Sequence, residues 1–409
     1  SACVITLNTF GWLHFQNHLV RLRAMPVRIF SGSLLGIEAC CVEVEVDLSF
    51  ALPQFVTVGL PDGMVKEAKE RVKSAIRNSG YEFPERKVTV NLAPADIRKE
   101  GTHFDLPMAI GILTASGIVP QERLSDHLLV GELSLDGRVR SVQGVLPMAL
   151  MARDHGIAGL LLPPGNASEG ALVEGVAVRP VETLVQAVEY LTGRKEIAPV
   201  EADRQRALEV GWAGEMDLSE VRGQEHAKRA LEVAAAGGHN VLMIGPPGTG
   251  KTMLAMRLPS ILPRMAFEEA LETTRVWSVA GLLSDHRGLV SSRPYRSPHH
   301  TISDAGLIGG GSMPRPGEAS LAHNGVLFLD ELPEFKRNVL EALRQPVEEG
   351  RVTVSRASMT LTYPARFMLV AAMNPCSCGH YGNPLHECTC TIPQIQKYRS
   401  KVSGPLLDR

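Results

Sequence analysis

The stretch GPPGTGKT, residues Gly245–Thr252, decides the fold of the second half of this chain. It has the P-loop pattern, in which glycines let backbone amides curl around a phosphate at the start of a helix. The apolar run NVLMI precedes it and MLAMRLPSIL follows it, so strand, loop and helix stand in the required order. We expect Lys251 to meet the β- and γ-phosphates of a nucleotide and Thr252 to bind Mg²⁺. The predicted nucleotide-binding residues are Gly245, Pro246, Pro247, Gly248, Thr249, Gly250, Lys251, Thr252 and Met253.

Two later apolar runs end in polar residues that suit the same site. GVLFLDE ends in Asp330 and Glu331, and RFMLVAAMN ends in Asn374. Because the carboxyl ends of parallel strands share one edge of a sheet, we expect these side chains to approach the P-loop. Asp330 would then hold Mg²⁺, Glu331 would polarise the attacking water, and Asn374 would reach the γ-phosphate or that water.

The composition is ordinary for a soluble globular protein. Of 409 residues, 44% are hydrophobic and 21% are charged, and the net charge of −2 provides no overall attraction to nucleic acid. No apolar run reaches the ~18 residues that a membrane-spanning helix needs, so no membrane partner is expected. Residues 1–24 lack the order of a secretory signal, because their basic pair, Arg21 and Arg23, comes last. We expect a cytoplasmic protein that starts naturally at Met25, with residues 1–24 as an artefactual extension or, alternatively, a membrane-associating arm.

Helix and strand patterns divide the chain into two domains. Residues 25–195 mix short strands, such as CCVEVEVDL, with helices, such as KEAKERVKSAIRNSG, and predict one α+β domain. Residues 196–217 are polar and weakly patterned, which predicts a linker. In residues 218–409, strands and helices alternate as in a parallel α/β sheet. We expect helix-cap and surface charges at three acids of the first domain, namely Asp96, Glu100 and Asp105.

The three motifs, in this order, resemble those of an AAA+ ATPase. The segment RPYRSPHHTISDAGLIGGGSMPRPGEASLAHNGVLFLDELPEF is similar to the magnesium-chelatase-like clade, as is SGPLLDR at residues 403–409. Two segments of the first domain, VGLPDGMVKEAKERVKSAIRNSGYEFP and VTVNLAPADIRKEGTHFDLPMAIGIL, closely resemble the ComM (YifB) family. The resemblance covers residues 25–409.

This resemblance implies a hexameric bacterial ATPase that is linked to DNA branch migration during natural transformation. ATP and Mg²⁺ would be its cofactors, and branched or single-stranded DNA would be its partner. In this clade the arginine of LLDR, here Arg409, acts in trans on the nucleotide of a neighbouring subunit. The resemblance also implies that the sensor-2 arginine and the helical lid lie beyond residue 409, which leaves the AAA+ domain cut short.

The first domain resembles the proteolytic domain of Lon proteases in HFDLPMAIGIL and VGELSLDGRVRSVQGVLPMALMARDHGIAGLLLP. That enzyme needs a serine nucleophile and a lysine that activates it. The stretch that matches the serine turn is GTHFDL, residues 101–106, which has no serine, and the lysine stretch reads QGVL and ends in Leu146. We therefore expect a retained fold without protease activity, used for assembly or for docking a partner of unknown identity.

A ring motor on DNA needs basic or polar loops that face its pore. Two insertions suit this role: residues 286–312, in which three glycines allow bending, and residues 350–367, a predicted β-hairpin. The alternative is a solvated basic edge that docks another subunit. The candidate DNA-binding residues are Arg287, Arg293, Arg296, His299, His300 and Arg356.

The loop NPCSCGHYGNPLHECTC, residues 374–390, holds four of the seven cysteines of the chain. In the absence of an export signal we expect no disulfide framework, and two Cys-x-Cys pairs could bind one tetrahedral Zn²⁺. His380 or His386 could replace a thiolate, and free thiols or a redox-sensitive pair are the alternatives. The metal would stiffen a loop near the pore or the subunit interface. The predicted ligands are Cys376, Cys378, Cys388 and Cys390.

Two other functions remain open from the sequence. A magnesium-chelatase-type ATPase would remodel partner proteins to drive metal insertion into a porphyrin. The Lon-like domain, the cysteine loop and the basic loops disfavour it, since chelatase motor subunits resemble only the AAA+ part. An ATP-dependent protease is disfavoured because the catalytic dyad is missing.

Overall fold

Among the described residues, the largest sheets are a seven-stranded sheet in the first half of the chain and a four-stranded sheet in the second. The computed structural model describes residues 26–210, 216–283, 288–311, 314–356, 359–384 and 386–409. Residues 1–24, the proposed start Met25 and the candidate DNA ligand Arg287 lie outside the described residues.

The first half contains nine described strands and six helices. The strands are β1 (Val27–Leu35), β2 (Glu38–Ser49), β3 (Gln54–Val58), β4 (Lys87–Ala93), β5 (His127–Leu129), β6 (Glu132–Leu133), β7 (Val139–Arg140), β8 (Gly159–Leu162) and β9 (Ala177–Pro180). The helices are α1 (Gly63–Asn78), α2 (Asp105–Ala115), α3 (Val145–Asp154), α4 (Ala167–Gly170), α5 (Leu184–Leu191) and α6 (Arg204–Val210). Seven strands form one sheet, in the order β3-β4-β2-β1-β5-β8-β9. Its pairs are antiparallel from β4 through β2 to β1 and parallel elsewhere, which confirms the predicted mixture of α and β structure.

Local sequence signals account for the main elements of this half. The run CCVEVEVDL falls within β2, and KEAKERVKSAIRNSG falls largely within α1, as predicted. Helix α1 begins after Asp62, whose carboxylate accepts a hydrogen bond of 2.8 Å from the N–H of Val65. Helix α2 is buried on all sides, which agrees with its uninterrupted apolar sequence.

The prediction for Asp105 was wrong. Its side chain is fully buried and accepts hydrogen bonds of 2.7 and 3.1 Å from the guanidinium of Arg71. Burial raises the pKa of Asp105 to about 6, although Arg71 acts in the opposite direction. The prediction failed because the partner lies 34 residues earlier, on α1, where no local pattern reveals it. Asp96 is exposed, as predicted.

The second half contains a described four-stranded parallel sheet and two hairpins. Its strands are β10 (Val241–Ile244), β11 (Tyr295–Arg296), β12 (Gly309–Gly310), β13 (Arg315–Pro316), β14 (Val326–Leu329), β15 (Arg351–Arg356), β16 (Met359–Pro364) and β17 (Met368–Met373). Its helices are α7 (Glu225–Gly237), α8 (Lys251–Arg257), α9 (Phe267–Ala280), α10 (Asp304–Ile308), α11 (Glu318–Leu321), α12 (Arg337–Ala342), α13 (Arg344–Glu349), α14 (Ile392–Arg399) and α15 (Gly404–Leu407). The sheet order is β10-β17-β14-β11, and every pair is parallel, as the sequence predicts.

The two halves of the chain contact each other directly. The stretch 196–217, predicted as a linker, contains helix α6. The N–H of Gly144 donates a hydrogen bond of 3.2 Å to the carbonyl of Ser278 on α9. The buried carboxylate of Glu169 accepts from the hydroxyl of Ser278 and, at 2.8 Å, from the N–H of Leu146. Leu146, which stands where a Lon-type lysine is expected, therefore shares the carboxylate of Glu169 with Ser278 of α9.

No helix among the described residues has the length and apolar character that are needed to cross a bilayer.

Candidate nucleotide-binding site and cysteine cluster

The predicted polar residues meet at one edge of the parallel sheet. Strand β17 lies between β10 and β14. Asn374, which follows β17, therefore stands between the P-loop after β10 and Asp330 after β14. The sheet order thus brings together side chains that are far apart in the sequence.

The ammonium group of Lys251 is held by the P-loop and by Asn374. Its Nζ donates to the carbonyl oxygens of Gly245 and Pro246 at 2.7 and 3.0 Å, and to Oδ1 of Asn374 at 3.3 Å. Burial lowers the pKa of Lys251 below its usual value. These oxygen partners hold the charge inside the loop, where phosphate oxygens could replace them.

The backbone of the P-loop requires glycine at two positions. Gly248 and Gly250 have φ angles of +77° and +84°, a region that residues with a side chain rarely adopt. The hydroxyl of Thr249 donates to the carbonyl of Pro246 at 2.9 Å and closes the turn. The amide of Gln224 donates to the carbonyl of Thr249 at 3.3 Å. Gln224 is not among the residues predicted from the sequence, although a glycine and a polar residue directly before α7 mark a chain turn at a helix start.

The hydroxyl of Thr252 and the carboxylate of Asp330 form the central contact of the site. Thr252 donates to Oδ2 of Asp330 at 2.7 Å, and Oδ1 of Asp330 accepts from the N–H of Glu331 at 2.9 Å. Two oxygens from different elements thus lie side by side, as a Mg²⁺ site shared with phosphates requires. Glu331 has a φ of +52°, a strained conformation of the kind that often occurs at functional sites.

His300 lies beside the candidate catalytic glutamate. Its Nδ1 is 3.4 Å from Oε2 of Glu331. Its ring is 4.1 Å from the ring of His299 and meets Phe335 edge-on at 6.4 Å. This position at the nucleotide edge of the sheet disfavours the predicted DNA contact of His300. His299 is exposed and contacts the Thr301 hydroxyl at 2.9 Å.

Two of the candidate DNA-binding arginines have internal partners. Arg296 makes a bidentate pair with Glu318 at 2.6 and 2.8 Å, and its guanidinium lies 5.9 Å from the ring of Trp277. Arg293 donates to the carbonyls of Pro263 and Asn324, and only 15% of its side chain is exposed. These internal partners disfavour the predicted DNA contacts of Arg293 and Arg296, because each charge is already paired or hydrogen-bonded within the fold.

The predicted hairpin in residues 350–367 is confirmed. Strands β15 and β16 pair from Arg351 with Pro364 to Arg356 with Met359, next to residues 357–358, which lie outside the described residues. The hydroxyl of the buried Tyr363 donates to the carbonyl of Pro314 at 2.6 Å. Pro314 precedes β13, so the β12–β13 and β15–β16 hairpins are joined by a hydrogen bond.

Arg409 lies at the opposite edge of the sheet from its own P-loop. Its carbonyl accepts from Asn240, directly before β10, at 2.9 Å. Its guanidinium pairs with Glu348 on α13 and donates to the carbonyl of Pro405 at 2.6 Å. The length of β10, about 13 Å at ~3.3 Å per residue, separates Asn240 from the P-loop. Arg409 therefore lies beside the amino end of β10, whereas its own P-loop follows the carboxyl end of that strand.

The four predicted zinc ligands come together in one cluster. The Cys376–Cys378, Cys378–Cys388 and Cys376–Cys388 sulfur distances are 3.3, 3.6 and 3.7 Å, and all four sulfurs lie within 4.8 Å of one another. Four thiolates at ~2.3 Å from a tetrahedral Zn²⁺ would be separated by about 3.8 Å. The donor set and its spacing therefore fit zinc. His380 and His386 lie next to each other, with ring centres 5.1 Å apart, but do not belong to the cluster.

Local contacts favour the thiolate form of Cys378 and disfavour the thiolate form of Cys388. N–H groups of His380 and Thr389 lower the pKa of the Cys378 thiol to about 5. At Cys388 the N–H of Cys390 acts in the same direction, but burial and the sulfurs of Cys376 and Cys378 outweigh it and raise the pKa to about 12. Negative charges at such short separations repel each other, and a bound cation would offset that repulsion.

Comparison with known proteins relates both halves of the chain to one group. Residues 217–409 match the family described as "Magnesium chelatase, subunit ChlI", and residues 44–166 match "Subunit ChlI of Mg-chelatase". The chain is 48% identical to the competence protein ComM of Haemophilus influenzae and to YifB of Escherichia coli, over 93% of this chain and 74% of each relative. It is 28% identical to the magnesium-chelatase 38 kDa subunit of Rhodobacter capsulatus, over 39% of this chain and 50% of that protein.

Glu331→Gln should separate nucleotide binding from hydrolysis. Glutamine cannot act as a base, whereas Lys251, Thr252 and Asp330 keep their contacts, so ATP affinity should stay near the wild-type value while turnover falls ~10²–10⁴-fold. The measurements are binding of a fluorescent ATP analogue and release of phosphate. Glu334→Gln, which alters an exposed pair with Lys401, is the matched control. Equal turnover in the two variants would remove Glu331 from the catalytic role.

Proposed function

Because the chain belongs to the magnesium-chelatase-like ComM family of AAA+ ATPases, we propose that it is an ATP-driven motor that acts on DNA. In this proposal six copies form a ring, and the ring acts as a helicase or branch-migration translocase during recombination in natural transformation. The observation that carries the proposal is the similarity to a competence protein over 93% of the chain, including the first half. Cytoplasmic DNA would be the substrate, in branched or single-stranded form.

The residues around the P-loop divide the work of hydrolysis. Lys251 and the backbone N–H groups of the loop bind the phosphates, and Asn374 orients the γ-phosphate or the attacking water. Thr252 and Asp330 would hold Mg²⁺, which neutralises charge on the β- and γ-phosphates when bound. Glu331 accepts a proton from the attacking water. His300, 3.4 Å from Glu331, orients that carboxylate.

Arg409 completes the site of the neighbouring subunit. In its own subunit it is held by Glu348, at the edge of the sheet away from the P-loop. In a ring, this edge would face the nucleotide of the next copy, and an arginine there stabilises charge in the transition state by ~10³–10⁵ in rate. Release from Glu348 would accompany this engagement.

The two hairpins are the proposed contact with DNA. Arg356 ends β15, and the exposed Arg315 begins β13. Because the bond between Tyr363 and Pro314 joins the hairpins, they would move together along the strand. Basic side chains in such loops neutralise phosphates and provide affinity without regard to sequence. Arg293 and Arg296 play no part in this contact.

The first half of the chain has a structural role in the proposal. We infer a Lon-like domain without the catalytic dyad, since Leu146 occupies the expected position of the lysine and its N–H binds Glu169. The hydrogen bonds of Ser278 on α9 with Glu169 and Gly144 would hold this domain against the AAA+ domain of the same subunit.

The alternative function is a chelatase-type ATPase that remodels a partner protein. The match to the Rhodobacter chelatase subunit supports it, but that match covers 39% of the chain, compared with 93% for the competence protein.

Zinc would be the structural metal of the cysteine cluster. The sulfur separations of 3.3, 3.6 and 3.7 Å fit a tetrahedral site, and no position is left open for catalysis. Only Cys376 of the four ligands is buried and the other three are partly exposed, so the metal would supply order to this loop.

Stimulation of ATP hydrolysis distinguishes the two functions. We expect forked or single-stranded DNA to raise phosphate release severalfold and a porphyrin to leave it unchanged. Lys251→Ala should abolish hydrolysis in both cases, because the phosphates lose their main charge partner. Stimulation by porphyrin with no response to DNA would favour the chelatase alternative.

Mixing two inactive variants tests the role of Arg409 in trans. Lys251→Ala and Arg409→Ala should each be inactive alone, because every site in the ring lacks one group. In an equal mixture about one quarter of the sites would combine an intact Lys251 with an intact Arg409 from the neighbour, so phosphate release should return. If the mixture stays inactive although mixed rings form, Arg409 does not act between subunits.

Replacement of Cys388 tests the metal site. Cys388→Ser should lower bound zinc below one per chain, because three thiolates hold the ion less firmly than four. Cys40→Ser, in β2, is the control and should keep one zinc per chain. Metal content is measured by mass spectrometry of the purified protein, and an unchanged value in Cys388→Ser would refute the site.

A further inference from the structure

The cysteine cluster approaches the P-loop at Gly379, which lies against Pro247. The backbone of Gly379 lies so close to Pro247 that an added Cβ would stand 2.8 Å from Cδ and 2.9 Å from Cγ of the proline ring. Gly379 also has a φ of +85°, which side chains disfavour. The closeness of this contact therefore depends on the absence of a side chain at residue 379.

The position of Gly379 is set by the cluster. Gly379 directly follows the ligand Cys378, and its N–H donates to the carbonyl of Cys376 at 3.0 Å. The N–H of Tyr381 donates to the sulfur of the same cysteine at 3.3 Å. Because these bonds wrap the turn around the first ligand pair, a change in the arrangement of the sulfurs would move Gly379.

The cluster is also connected to the nucleotide-binding site through the chain segment that precedes Cys376. Asn374 lies two residues before Cys376, and its Oδ1 accepts from Nζ of Lys251 at 3.3 Å. The intervening Pro375 is anchored by Arg399, whose Nε donates to its carbonyl at 3.1 Å. The cluster therefore approaches the P-loop at Pro247, and the chain just before it carries Asn374, which contacts Lys251.

We propose that the metal-loaded cysteine cluster positions the P-loop for nucleotide binding, with Gly379 against Pro247 as the transmitting contact. Gly379 is thus a positioning residue, and the affinity for ATP depends on the metal occupancy of the cluster. This inference rests on the proposed zinc site but not on the action on DNA.

The loop contains a matched control for this contact. Gly382 also has a left-handed backbone, with a φ of +77°, but an added Cβ there meets no atom within 4 Å. Gly379→Ala and Gly382→Ala therefore introduce similar backbone strain, and only the first pushes against the P-loop. The comparison isolates the contact with Pro247.

The test measures zinc content and the dissociation constant of a fluorescent ATP analogue in excess Mg²⁺. We expect Gly379→Ala to bind the analogue about tenfold more weakly, equal to ~1.4 kcal/mol, while both variants keep one zinc per chain. Gly382→Ala should stay within about twofold of the wild type. A zinc-selective chelator should weaken binding by the wild type and have little further effect on Gly379→Ala.

Three results would overturn the inference. The two variants could bind the ATP analogue equally well, the chelator could leave the affinity of the wild type unchanged, or the wild-type cluster could contain no metal. If Gly379→Ala loses its zinc, Pro247→Ala removes the ring contact from the other side and should show the same loss of affinity and of chelator response. A normal affinity in Pro247→Ala would then overturn it. Failure of DNA to stimulate hydrolysis would leave these outcomes unaffected, so the two proposals fail separately.

Discussion

The hydrogen bond from Thr252 to Asp330 is the contact on which the second half of the chain depends. It joins the start of α8 to the end of β14 across 78 residues of sequence. The bond can form only because β17 lies between β10 and β14 and all three strands run in the same direction. With these strand ends aligned, Lys251, Asn374 and Glu331 converge on the same small space. The parallel sheet therefore determines the geometry of the site before any nucleotide binds.

Local signals were enough to predict the sheet and its ends. Several features are each encoded in a short run of sequence. They are the apolar strands before Gly245 and Asp330, the glycines of the P-loop, and the hairpin of β15 and β16. The cysteine cluster was predicted for the same reason, because its two pairs lie within one loop. Such features can be predicted from the sequence because the residues that form them lie close together in the chain.

Long-range pairing could not be predicted in the same way. A basic residue in the sequence does not reveal which acid it will meet, and Arg296 pairs with Glu318 after 22 residues. The same limit applies to Asp105, whose partner Arg71 is on another helix. His300 was read as a DNA ligand because it stands in a basic insertion, whereas the fold places it beside Glu331. Gly379 carried no signal of its own, since any turn between two ligands favours glycine.

The nucleotide edge of the sheet is bordered by elements from outside the three motifs. The cysteine cluster meets it at Pro247, and Gln224 meets it at Thr249. Within the AAA+ half, α9 contacts the first half of the chain through the hydrogen bond of Ser278 with Glu169. Changes at the P-loop would therefore alter contacts with parts of the chain that take no part in hydrolysis.

The DNA motor is tested most directly by measuring ATP-dependent migration of a labelled three-strand DNA junction with the purified protein. We expect strand exchange to proceed with ATP and Mg²⁺ and to stop in the Lys251→Ala variant. Purified protein that hydrolyses ATP but leaves the junction unchanged would contradict the DNA motor.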